Sequence, residues 1–434
     1  MTIKRDLMER ISPFLDREEF IAIVGPRQSG KTTFLQMLKS HLCKELKINK
    51  DLIQTVTFED RMLLSQFEDD PVSFISSYVP PDASGRLYLM IDEFQYAVDG
   101  GQKLKLIYDT VKDIKIFITG SSSLDIKARV GKYMVGRILP FDLQPFSFRE
   151  YLRAHDKRLE RIYSQNNEQF VHRIFEEEKV TIKSGFDTFS SEMIKHYEKY
   201  CVWGGYPAVV LAKGNDIRKK LLSELYNNYI LKDIKTLLEL ATERNLFLLS
   251  QYLATQIGNI VIYQNLGQAS KLNYRQLKKH LAILEETYVC KEVRPFFKNR
   301  QKELSKNPKI FFMDMGFRNN LMENMNTLNI RPDAGAMIEN AVFIRLHEVC
   351  GGFHKINFWR TKAGAEVDFV IPIKGKVLPI EVKYSSYKAV KISRSLASFI
   401  DTFKPEQAVV LTKDYWGSMK REKTKILFIP VYYL

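Results

Sequence analysis

Apolar residues fall along this chain in three rhythms. In the first third they form unbroken runs, FIAIV at Phe20–Val24, RLYLMIDEF at Arg86–Phe94 and IKIFITG at Ile114–Gly120. Runs without alternation predict strands buried on both faces of a parallel sheet. From Ile217 the spacing becomes three and four, as helices require. IRKKLLSELYNNYILKDIKTLLEL is followed by NLFLLSQYLATQIGNIV, a short GQASKL turn, then YRQLKKHLAILEETYVCKEV. NPKIFFMDMGFRNNL closes that region. In the last hundred residues an amphipathic helix, Ala336–Val349, precedes three strand-like pieces, KINFWR, GAEVDFVIPI and KVLPIEVKYS. The stretch from Asp156 to Glu192 is polar and charged and reads as a helical insertion or loop. These changes predict an α/β parallel-sheet domain at 1–155, a charged helical insertion or linker at 156–200, a helical domain at 201–330 and a second α/β domain at 331–434.

The first apolar run leads directly into GPRQSGKT, Gly25–Thr32, and then into TFLQMLKSHLC with helical spacing. Strand, glycine-bounded loop and helix in that order are the context of a P-loop. Gly25 and Gly30 let the loop that runs on through Pro26 turn successive backbone N–H groups, those of Arg27, Gln28, Ser29 and Thr33 among them, toward phosphate oxygens. Lys31 is expected to reach the β- and γ-phosphates, and the Thr32 hydroxyl to ligate Mg²⁺, with the helix amino terminus adding positive potential. The second run delivers Asp92 and Glu93 at its carboxyl end, the edge at which parallel sheets bind ligands. Asp92 is expected to hold the magnesium, and Glu93 to orient or deprotonate the attacking water. The third run ends in serines, making Thr119 and Ser121 candidates for sensing the γ-phosphate. Arg129 and Arg137 downstream are candidate transition-state arginines, from their own subunit or a neighbour's.

The whole of the chain adds bounds. Its 434 residues suit two to four domains, and 45% hydrophobic with 12% aromatic residues exclude wholesale disorder. No apolar run approaches the roughly 20 residues that cross a bilayer. The charged start carries no signal-peptide apolar segment, and Cys43, Cys201, Cys290 and Cys350 lack paired spacing. A cytoplasmic protein is expected. The formal net charge of +15 has two accounts, attraction to a polyanion and simple solubility. Part of the excess sits between Lys271 and Lys309.

GPRQSGKT, LMIDEFQ, ITGSSS and GRILPFDLQPFSFREYL together resemble the AAA+ superfamily ATPases that carry an amino-terminal AAA (AAA_14-type) module and a carboxyl-terminal DUF4143-type region. WGGYP at Trp203–Pro207 and YILKDI at Tyr229–Ile234 fit the same pattern. The resemblance spans nearly the full chain. It implies an AAA+ core, favours Arg137 in its GR pair over Arg129, and is compatible with a homo-oligomer.

In the middle region, helix, turn, second helix and the extended VCKEVRPFF look like a winged helix-turn-helix. Asn273, Tyr274, Arg275, Lys278 and Lys279 would open its recognition helix, with Lys298, Arg300 and Lys302 on the wing, touching DNA phosphates. A lid or protein-binding role fits the same pattern. The terminal region resembles the PD-(D/E)XK, restriction-endonuclease-like fold. Asp368 sits within an apolar strand, and Glu381 and Lys383 alternate with apolar residues on the next. In that resemblance Asp368 and Glu381 bind Mg²⁺ or Mn²⁺, Lys383 positions the water or stabilises charge, Glu339 is an additional acid, and Glu366 a spare one if its strand is regular. Two functions follow as expectations. One is an ATP-hydrolysing, DNA-binding enzyme of DNA processing or repair with a nuclease-like terminal domain. The other is a nucleotide-dependent switch whose later domains only bind a protein or nucleic-acid partner.

Overall fold

The computed structural model describes residues 2–80, 85–120, 130–168, 171, 182, 184–227, 243–297, 299–352, 354–387 and 389–434. Ser121, Arg129, Lys298 and residues 229–234 lie outside these, as do the side chains of Arg300 and Lys302. The chain forms two compact units, Met1–Phe146 with Glu286–Tyr288, and Ser147–Glu285 with Val289–Leu434. Among the described residues no helix is long and apolar enough to cross a membrane.

In the first unit β1 (Phe20–Val24), β2 (Ile53–Thr57), β3 (Leu87–Asp92), β4 (Ile114–Gly120) and β5 (Ile138–Asp142) make one sheet in the order β2-β3-β4-β1-β5. Every neighbouring pair is parallel. The unbroken apolar runs have a direct cause, because successive side chains enter different cores. Phe20, Ala22, Val24, Leu89, Ile91, Ile116 and Ile118 join Leu104 and Ile107 of the helix Gly100–Thr110 on one face. Ile21, Ile23, Met90 and Phe117 meet Phe34, Leu35, Leu38 and Leu42 of the helix Lys31–Lys44 on the other.

The second unit is built on a nine-stranded mixed sheet. Its strands are β6 (Gly185–Phe186), β7 (Cys290–Pro295), β8 (Lys309–Phe312), β9 (Asn357–Arg360), β10 (Glu366–Ile373), β11 (Lys376–Val382), β12 (Gln407–Thr412), β13 (Tyr415–Arg421) and β14 (Thr424–Pro430). Their order is β6-β13-β14-β12-β11-β10-β9-β7-β8. The β7–β8 hairpin of the middle region joins the terminal strands through parallel pairing of β7 with β9. The 330/331 division therefore cuts between elements that share one sheet. Asn340, on the helix Ala334–Cys350, seals part of β8: its Oδ1 accepts from the Phe312 N–H at 2.8 Å and its Nδ2 donates to the Phe312 carbonyl at 2.7 Å.

Two expectations need correction. GQAS is not a turn but the end of a helix, Tyr263–Ser270, and the turn is confined to Lys271–Asn273 before the helix Tyr274–Glu286. Lys271 stops the first helix in a left-handed conformation, φ 57°. β10 is also not regular: its register against β9 shifts between Val367 and Val370, beside Asp368.

Candidate functional site

The P-loop leaves β1 at a point where only glycine fits. A Cβ on Gly25 would lie 2.2 Å from the Leu143 carbonyl oxygen. Gln28 and Gly30 both take positive φ, 59° and 93°, so the loop curls before the helix Lys31–Lys44 begins. Ser29 is buried and Gln28 exposed, while Thr33 faces outward on the first helical turn. Lys31 is only 6% exposed. Its Nζ donates to the carbonyls of Gly25 at 3.0 Å and Pro26 at 2.9 Å, inside the curl of the loop.

The acid strand reaches the same place by register. Ile91 pairs with Ile118 across β3 and β4, and Thr119 pairs with Ile23 across β4 and β1. Asp92 and Thr119 are therefore neighbours at the carboxyl ends of adjacent strands. The Thr119 hydroxyl donates to Asp92 Oδ1 and accepts from the Glu93 N–H at 3.0 Å. The Thr32 hydroxyl donates to Asp92 Oδ2 at 2.6 Å. A hydroxyl and a buried carboxylate thus converge, an oxygen donor set that fits a hard cation such as Mg²⁺. Glu93 takes a left-handed φ of 55° and is half-buried, and the Gln95 side-chain amide donates to its Oε2.

Arg137 falls elsewhere. It precedes β5, whose Ile138 pairs with Phe20 and whose Asp142 pairs with Val24. At about 3.3 Å per residue, Arg137 lies roughly 20 Å along the strands from Gly25. Its Nε meets Asp109 at 3.2 Å and its guanidinium covers the Tyr108 ring. It cannot reach a phosphate in its own loop, which corrects the expectation of a role within one subunit.

Arg5 escaped the sequence reading altogether. It is 5% exposed, donates to the Ser29 carbonyl at 2.8 Å and the Gln144 carbonyl at 2.5 Å, and stacks on Phe146. It ties the P-loop to the segment after β5. The only signal was an arginine beside buried Ile3 and Leu7.

In the second unit Glu339, Glu366, Asp368, Glu381 and Lys383 do come near one another, around a residue that the sequence did not flag. Lys309 of β8 is 1% exposed, with its Nζ 2.9 Å from Glu339 and 2.5 Å from Glu366. Burial would lower its ammonium pKa, but Glu339, Glu366 and Asp368 more than offset this and hold it above the ordinary lysine value. Asp368 Oδ2 accepts from the Val382 N–H at 2.7 Å, and Glu381 Oε1 accepts from the Ser393 hydroxyl at 2.6 Å and faces Lys383 at 3.4 Å. Glu366 also pairs with Arg360 at 3.1 Å. Burial pushes the carboxyl pKa values of Glu339 and Asp368 upward. Among the described residues no three His, Cys, Asp or Glu side chains are arranged to hold a metal ion. Of the three acids expected to hold Mg²⁺ or Mn²⁺, Glu339 is ion-paired with Lys309, Glu381 faces Lys383, and Asp368 accepts from the Val382 N–H.

The basic helix divides as well. Asn273 caps it, accepting from the Gln276 N–H at 2.9 Å while its own N–H donates to Gln276 Oε1. Lys278 turns inward, donating to the Tyr263 hydroxyl at 2.7 Å and approaching Glu292 at 3.7 Å. Both side chains thus have partners within the fold. Tyr274, Arg275 and Lys279 are exposed.

Residues 17–152 match the AAA domain family (AAA_14). Residues 194–331 match the domain of unknown function DUF8612, and residues 334–433 the domain of unknown function DUF4143. WGGYP therefore lies within the DUF8612 match rather than the DUF4143 one. The chain is 23% identical over 438 residues to an uncharacterized protein of Haemophilus influenzae, covering 99% of this chain and 98% of that protein. It is 24% identical over 441 residues to one of Methanocaldococcus jannaschii, covering 98% of this chain and 86% of that protein. Among solved structures, the Walker-type ATPase of Pyrococcus abyssi is similar at TM-score 0.44 and 15% identity, over 74% of this chain and 96% of that one. The ADP form of the Aeropyrum pernix ORC2 protein is similar at TM-score 0.35 and 12% identity, over 75% and 96%. The amino-terminal unit is an AAA-type P-loop ATPase domain.

Proposed function

We propose that this chain is an ATP-hydrolysing switch of the AAA+ type whose second unit grips DNA through a winged helix-turn-helix without cutting it. The observation that carries the ATPase half is the hydrogen-bonded series Thr32–Asp92–Thr119–Glu93 across the carboxyl ends of β3 and β4 and the first turn after the loop. Lys31 exchanges its two loop carbonyls for the β- and γ-phosphates. Thr32 and Asp92 would hold Mg²⁺, which when bound offsets phosphate charge. Glu93, fixed by its backbone N–H, orients the attacking water and accepts its proton.

Arg137 belongs in this reading only as a group offered to a neighbouring copy, since its own loop is out of reach. A homo-oligomer follows. Specific turnover is then expected to rise with protein concentration and to lose that rise in Arg137→Ala. A flat specific activity over a wide concentration range sinks the proposal.

The DNA half is supported by connectivity. The helix Glu243–Thr255, the single bridge Ile260–Lys309, the helices Tyr263–Ser270 and Tyr274–Glu286 and the β7–β8 hairpin follow one another as in a winged helix. The exposed Tyr274, Arg275 and Lys279 then open the recognition helix. Affinity for a labelled duplex is expected to fall with salt, and the double replacement of Arg275 and Lys279 by Ala to reduce the log–log salt slope by about 2, roughly 1 per phosphate contact. Binding and slope unchanged by the double replacement would turn the reading toward a protein partner.

A further inference from the structure

The acid cluster of the second unit poses an electrostatic problem that the chain solves by itself. Glu339 comes from the helix Ala334–Cys350, Glu366 and Asp368 from β10, and Glu381 from β11. Four buried or half-buried carboxylates at close quarters repel one another and are costly to remove from water unless a cation joins them. A divalent ion is one answer, and an ammonium is another. Lys309 enters from β8, an edge strand contributed by a different part of the chain, and places its Nζ between Glu339 and Glu366. Its Nζ lies over the Phe358 ring, 5.3 Å from the ring centre. Lys383 and Arg360 close the cluster from its more open sides, on Glu381 and Glu366.

We infer that Lys309 is a resident internal cation, so that the nuclease-like acid cluster of this chain is closed to divalent metal. The claim rests on reading that sheet as nuclease-like and adds why it does not cut. Three cations, Lys309, Lys383 and Arg360, pair with Glu339, Glu366 and Glu381, while Asp368 feels the charge of Lys309 and Lys383, and a divalent ion that took Glu339 or Glu366 would have to expel a lysine that has no solvent to move into. Asp368 has meanwhile committed one oxygen to the Val382 N–H, and Glu381 one to Ser393. The other Glu381 oxygen is buried without a donor among the described residues. The lysine also locks β8 to the helix and to β10, so the same ion pairs that exclude metal hold the hairpin in the sheet.

The test compares Mn²⁺ binding, by paramagnetic resonance of free Mn²⁺, to the nucleotide-free full-length protein and its variants. The parent and Asp368→Asn are expected to bind Mn²⁺ alike, because the cluster contributes nothing. Lys309→Met keeps the buried stem and removes the charge, and is expected to gain one Mn²⁺ site at least tenfold tighter than any in the parent. Asp368→Asn added to Lys309→Met should abolish the gain. A parent site lost in Asp368→Asn would overturn the inference while leaving the nuclease-like reading intact, and that comparison needs no lysine variant to fold. A folded Lys309→Met protein that gains no site would overturn both, since the acids would then never have formed a cation site.

Discussion

Glu93→Gln is expected to bind ATP as tightly as the parent and to release phosphate at least about 100-fold more slowly, the lower end of what a positioned general base contributes. The replacement is nearly isosteric. It leaves the Glu93 N–H on Thr119 and Asp92, so the end of β3 keeps its shape while the proton acceptor is lost. Lys31→Ala should do the opposite and fail at binding. Charged hydrogen bonds are each worth about 1.5–3 kcal/mol, so losing those to two phosphates should raise Kd by about 100-fold or more. A fluorescent ATP analogue separates the two variants by affinity, and phosphate release separates them by rate. Hydrolysis that survives both changes would remove the site from this loop.

How much of this was legible depends on where the information lies. β1, β3 and β4 read clearly from the sequence because both faces of each strand are buried and the runs are unbroken. β5 did not: ILPFD lies at the sheet edge, half-buried except for an exposed Pro140 at its centre. β2, at the opposite edge, is broken by the adjacent polar pair Gln54 and Thr55. QAVVLT and KILFIP in β12 and β14 had the apolar signal, though only long-range parallel pairing turns them into neighbours in one sheet. The residues that the reading missed are buried cations. Lys309 at the start of KIFF reads as a solvated end, and only packing against residues 30 and 57 positions later buries it among acids. Arg5 sits in a charged opening stretch, and its partner Gln144 is 139 residues away. Sequence spacing reports faces of one element. It does not report which distant element will cover a charge.

The WGGYP segment shows the same limit and gives the second large prediction. Its glycines are needed by a partner more than a hundred residues on, in MDMG. Asp314 Oδ2 accepts from the Gly205 N–H at 2.7 Å and Oδ1 from the Phe317 N–H at 2.8 Å, and a Cβ on Gly204 would strike this carboxylate at 2.3 Å. Burial drives the Asp314 carboxyl pKa up to about 6 even with backbone donors upon it. Asn319 then donates to the carbonyls of Cys201 and Val202, ending the helix Ser190–Trp203. Gly316 is the tightest point: a Cβ there would lie 2.0 Å from the Trp203 carbonyl oxygen, and backbone cannot swing aside as a side chain would. Gly316→Ala is therefore expected to cost the second unit roughly 3 kcal/mol, at the upper end of overpacking penalties, while nucleotide binding by the first unit persists. Gly335→Ala is the control. It lies in the helix Ala334–Cys350 with nothing within 4 Å of an added Cβ, and should gain about 0.4–1 kcal/mol from a less flexible unfolded chain. Denaturant unfolding of the full chain followed by tryptophan fluorescence, with Trp203, Trp359 and Trp416 all in the second unit, reads both changes. A Gly316→Ala protein that unfolds with the parent would mean that the two backbones separate without cost, and that WGGYP is retained for something other than this contact.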